Sequence, residues 1–210
     1  MSVEAPARVH LQRTLAPEDQ ARADFYALLA RLLHGAPDAA LLSSIAAAGE
    51  FPLDGDPALS RAWNDLVSAA SVMDVEAGQD EYQALFQGVG AAEVSIYSAF
   101  YVGAQAVDHP RVKLRADLAE LGLSRRDHVT EPDDHWAALL DTMRILVAGG
   151  AGRSPAAVAG QRHFYQTHLE PGLAPFFKAA QASARANFYR RVADLGLAFE
   201  ALETEAFRRD

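Results

Sequence analysis

The feature that most constrains this chain is the spacing of its large apolar residues. Phe25, Leu28, Leu29 and Leu32 recur at intervals of three and four, as do Tyr82, Leu85, Phe86 and Val89, and again Phe188, Val192, Leu195, Phe199 and Leu202. That interval lays one apolar stripe along a helix, whereas a half-buried strand needs alternation at every second residue. Pro17, Glu18 and Asp19 suit a first helical turn, and Gly35 followed by Pro37 ends the run where a left-handed cap would serve. Further helices are expected at 38–48, around Leu59, Trp63, Leu66 and Val67, at 111–121 before Gly122, and at 161–169 before a Pro-Gly break. In 94–102, VSIYSAFYV, β-branched and aromatic residues argue for a strand, but Tyr97, Phe100, Tyr101 and Ala104 fit a helix and no hairpin partner follows. The chain is therefore predicted to be an all-α, single-domain bundle of about nine to ten helices. The bundle should occupy 17–210 after a flexible 1–16 segment. The run AGGAGRSP at 148–155 is a hinge or a surface loop, with Ser154 and Pro155 as cap and first residue of the next helix.

Composition narrows the functional classes. Half of the 210 residues are hydrophobic, enough for a sizeable core. Cysteine is absent, which removes disulfides, thiolate metal sites and cysteine nucleophiles, and fits a reducing compartment. No apolar run is long enough to span a bilayer and the N-terminus has no apolar h-region, so no signal peptide, no stable membrane insertion and a cytoplasmic location are expected. A net charge of -9, from 28 acidic against 19 basic residues, disfavours nucleic acid and suits a basic peptide.

The chemically suggestive stretch is EPDDHWAALLDTM, from Glu131 to Met143. Pro132 as the first helical residue makes Glu131 the cap; Thr130 as cap makes something close to a capping box with Asp133. At about 100° per residue, the Trp136, Leu139, Leu140 and Met143 stripe faces the core, His135 borders it and Asp134 points to water or a partner. The residues leave both a cap and a site open. A metal-dependent or nucleotide-handling helical enzyme using Asp133, Asp134 and His135 is the alternative, with His128 nearby. No HExxH spacing, GxSxG elbow or P-loop is present, however, and His163 and His168, five apart, do not share a helix face. No catalytic residue, metal or cofactor is assigned.

Three segments in order, YQALFQGVG, SIYSAFY and EPDDHWAALLDTM, resemble the TorD/DmsD/NarJ family of chaperones for molybdenum redox enzymes. The resemblance covers roughly residues 20–205. It implies an all-helical chaperone, not an enzyme. Its partners would be the apo-form of a molybdopterin oxidoreductase and that enzyme's twin-arginine signal peptide, held until cofactor insertion. Carried over by motif, the peptide-binding residues would be Tyr82, Leu85, Phe86, Tyr97, Asp134 and His135. Apolar and aromatic groups would receive the hydrophobic part of the peptide and Asp134 its arginines. The chain departs from the family at Ile96, where proline is usual, at Ala99, where serine is, and at Gly172, where tryptophan is common. The joint at Gly149–Gly152 leaves monomer and domain-exchanged dimer both open.

Overall fold

α1 (Pro17–His34) starts as its proline and first-turn acids predict and buries Phe25, Tyr26, Leu29, Leu32 and Leu33. The chain is described here by a computed structural model covering residues 15–49, 51, 55–88, 92–102, 109–123, 132–150 and 152–209. The expected N-terminal segment up to residue 14, the polar link 124–130, and Val89, His128, Thr130 and Glu131 lie outside the described residues. α1 does not end on a left-handed glycine, because Gly35 is extended at φ -171°. Two tyrosine hydroxyls close it instead: Tyr189 donates to the Leu32 carbonyl at 3.0 Å and Tyr82 to the Leu33 carbonyl at 3.1 Å. A helix's last carbonyls have no partner within it, so buried donors from elsewhere satisfy them.

α2 (Ala39–Ala46), α3 (Pro57–Val72) and α4 (Val75–Tyr82) each begin on an aspartate, Asp38, Asp56 and Asp74, whose carboxylate accepts first-turn amides. A π-helical turn, Gln83–Gln87, extends α4. After it come α5 (Ala99–Val102), α6 (Pro110–Glu120), α7 (Trp136–Ala148) and α8 (Val158–Phe164). A second π turn, Tyr165–Leu169, leads into α9 (Glu170–Ala182), and α10 (Phe188–Arg209) closes the described chain. The all-α class is as predicted: among the described residues there is no strand, only isolated bridges. α1 runs along α7, α10 packs on α9 and α3, and α2 on α3, around one continuous core. Buried Glu203 of α10 ties that core to α1, accepting from Arg22 at 2.7 Å and from the Tyr26 hydroxyl at 2.6 Å. Among the described residues no helix is long and apolar enough to cross a membrane.

Four local expectations change. Residues 92–98 are not helical, and only Ala99–Val102 is. The strand-like composition was informative, since Tyr97 bridges to His135 across the fold rather than to a hairpin neighbour. Pro171 and Gly172 do not break the chain, because proline is tolerated in the first turn of α9. α8 begins after Ala157, so Ser154 and Pro155 precede the helix; α7 ends at Gly149, whose φ of 75° favours glycine. His163 and His168 do converge, with Nε2 atoms 3.7 and 2.6 Å from the same Asp117 oxygen, because the intervening π turn brings residues five apart together.

Candidate functional site

The site is built where the 94–102 segment meets the turn before α7. Two main-chain hydrogen bonds join them, Ser98 N–H to the Asp134 carbonyl at 2.8 Å and Trp136 N–H to the Ile96 carbonyl at 3.0 Å, and a third, Val94 N–H to the Leu85 carbonyl at 2.9 Å, adds the first π turn. The Asp134 carboxylate accepts the Ala99 N–H at 3.3 Å, where α5 begins. Tyr101 donates its hydroxyl to the Ser95 carbonyl at 3.0 Å, and burial pushes that hydroxyl up to about 12, against a smaller lowering by the bond itself.

His135, not Pro132, governs the start of α7. Its Nδ1 accepts the Ala137 N–H at 3.1 Å, which puts the neutral ring's proton on Nε2. Pro132 instead lies in the preceding turn, closed by His135 N–H to the Pro132 carbonyl at 3.3 Å. The His135 ring stands edge-on to Tyr97, with centroids 5.6 Å apart and planes at 87°. The helical wheel therefore misplaces Asp134: outside the helix, it folds inward and is 1% exposed, with His135 at 5%. Asp134 Oδ1 lies 2.9 Å from Arg111 Nε, and Asp133 Oδ2 accepts Arg115 Nε–H at 3.0 Å. α6 thus lays two arginines one turn apart onto the two adjacent aspartates.

The structure brings Tyr97, Asp134 and His135 together but leaves Tyr82, Leu85 and Phe86 in the core, at 3%, 0% and 5% exposure. Phe176 of α9 packs between Phe86 and the neighbours of the junction, its ring 6.2 Å from Phe86, 5.6 Å from Trp136 and 5.9 Å from Tyr101. Sequence reasoning missed Phe176 and the two arginines; the Arg111/Arg115 spacing of four was the available signal. Gly172 explains one departure from the family pattern. A Cβ there would come within 3.2 Å of the Trp136 ring and 3.0 Å of the Val102 side chain, so a residue as large as tryptophan would have to push both aside. At the edge of the junction, Phe100 is 72% exposed. Elsewhere, a cavity of about 360 Å³ between α1, α2 and α3 is lined by Phe25, Leu28, Leu41, Ile45 and Trp63, with Asp24 among its polar residues. Among the described residues no group of three His, Cys, Asp or Glu side chains is arranged to hold a metal ion.

The profile of the nitrate reductase delta subunit family matches residues 54–178, more than half of the chain and both sides of the junction. The chain belongs to this family. It is a family of redox-enzyme maturation chaperones rather than of catalysts. No curated protein matches this delta-family chain. Among solved structures, one described as a candidate redox enzyme maturation protein from Archaeoglobus fulgidus is similar, with a TM-score of 0.52 and 17% identity over 94% of this chain and 99% of that one. At that identity the likeness speaks for a shared fold.

Proposed function

We propose that this delta-family chain is a cytoplasmic chaperone for the apo-form of a molybdopterin-dependent oxidoreductase, and that it holds the client's twin-arginine signal peptide at the junction of α5, α6 and α7. One observation carries the reading: exposed Phe100 belongs to the same short helix whose first amide is held by buried Asp134. An open aromatic edge beside carboxylates is the chemistry that receives an apolar segment preceded by guanidinium groups. Tyr97 and His135 form the wall of that corner. Tyr82, Leu85 and Phe86 support it from the core and do not touch the peptide.

Titration calorimetry with a synthetic twin-arginine peptide tests this. The native chain should bind, and Phe100→Ser, which alters an exposed side chain, should weaken binding about tenfold, as expected for loss of one aromatic anchor. Absence of binding by the native chain, or unchanged binding in both Phe100→Ser and Asp134→Asn, would sink the reading. The apolar cavity between α1, α2 and α3 favours a second contact, with the body of the client. On that reading, client capture survives deletion of the leader and is lost on Trp63→Glu.

A further inference from the structure

We propose that α6 is a built-in latch, whose Arg111 and Arg115 occupy the Asp133–Asp134 pair in place of the client's paired arginines and are displaced when the client binds. The inference rests on the reading of Asp134 as the client's contact, and it adds Asp133 beside it and how access to the pair is regulated.

The two arginines meet the two aspartates in register, Arg111 on Asp134 and Arg115 on Asp133. A carboxylate as buried as that of Asp134 is costly without a counter-charge, so an empty site needs a substitute cation. Arg111 supplies one imperfectly. Although its Nε lies 2.9 Å from Asp134 Oδ1, neither atom has a directed hydrogen bond, and both are buried. A guanidinium tethered to α6 reaches Asp134 from one side along its own stem, whereas one on an incoming peptide can approach along the line that aligns both its N–H groups. The self-contact is thus close enough to neutralise the site and poor enough to be replaced.

α6 is also fastened in a way that permits release. Only Leu114 and Asp117 of its side chains are buried, and Val112 is left 65% exposed. Leu118 and Leu121 pack half-buried against the core, and the remaining fastenings are polar: Asp117 on His168 at 2.6 Å, and the Arg153 guanidinium donating to the Leu121 and Gly122 carbonyls at 2.6 and 3.1 Å. An element held by few apolar contacts and several polar ones sits at the low-stability end of a fold, where moving parts are found.

The test is calorimetry with the same twin-arginine peptide on the full chain and on Arg111→Gln/Arg115→Gln. Removing the competitor raises the fraction of open sites, so the double variant should bind about tenfold more tightly. Because Arg111→Gln leaves Asp134 without its cation, folding is checked by circular dichroism, and Arg115→Gln alone, at an exposed position, should still show about a threefold gain. Hydrogen exchange of the 112–118 amides should accelerate when peptide saturates the native chain. Tight binding by the native chain with no gain in either variant, or with α6 amides equally protected, overturns the latch and leaves the client site standing. No binding by the native chain or the variants overturns the client site and the latch together.

Discussion

Glu81 of α4 caps α10 across the fold, its carboxylate accepting the Tyr189 N–H at 2.7 Å. The same carboxylate takes the Asn187 and Phe188 amides at 2.8 and 3.1 Å, so one buried side chain satisfies three donors at the start of the longest helix. Nothing in the spacing around Glu81 marks it, because its partners lie more than a hundred residues away. Glu81→Ala would leave those amides unpaired in a buried place and remove a charge from the positive end of the helix. The expected loss is about 2–3 kcal/mol, read as a lower urea midpoint with an unchanged slope. An unchanged midpoint would show that water replaces the carboxylate without cost.

Gly196 lies inside α10, where alanine would ordinarily gain about 1 kcal/mol in helix propensity. Here a Cβ would collide with the buried Phe177 ring, which has no free side to turn toward. Overpacking of this kind costs typically 1–3 kcal/mol, so Gly196→Ala should destabilise on balance. A raised thermal midpoint would refute the collision.

His135 serves α7 first and a ligand second. His135→Ala loses the cap on the Ala137 amide and the edge contact with Tyr97, together about 1.5–2.5 kcal/mol. His135→Asn keeps a capping acceptor and should recover about 1 kcal/mol of that loss. Chemical denaturation of the two variants separates cap from ring, and equal stability of the pair would show that Nδ1 does not cap.

Acid should loosen the hold on α6. Burial lowers the His168 imidazole below its ordinary 6.5, outweighing the upward pull of Asp117. Burial alone would raise Asp117, but the hydrogen bond and charge of His168, with Lys113, hold it below 3.8. For both groups the unfolded chain binds more protons in acid, so stability is lost as pH falls, first below 6.5 through His168 and then below 3.8 through Asp117. The thermal midpoint should drop between pH 7 and pH 5 in the native chain and drop less in His168→Gln. Equal slopes would remove His168 as the cause.

Helix content, the apolar stripes of α1, α7 and α10 and the proline-led, acidic start of α1 were legible in the residues because they depend on neighbours within one or two turns. The same locality explains what was misread. Asp134 was placed by extending a helical wheel past the true start of α7, and only the bridge from Tyr97 to His135 shows that the wheel does not apply there. The motif marks Tyr82 and Phe86 as peptide-binding, and the structure places them in the core, where the Tyr82 hydroxyl donates to the carbonyl of Leu33 and the Phe86 ring packs on Phe176.

By itself the sequence determined the all-helical class, the segments that meet at the junction and the family, since each is carried by periodicity or by short motifs in order. Only the tertiary structure decided which motif residues are buried, that Arg111 and Arg115 rest on the acidic pair, and that Glu81 starts α10. Those outcomes depend on charges and donors brought together from distant parts of the chain, where burial makes an unpaired group costly and so selects the partner.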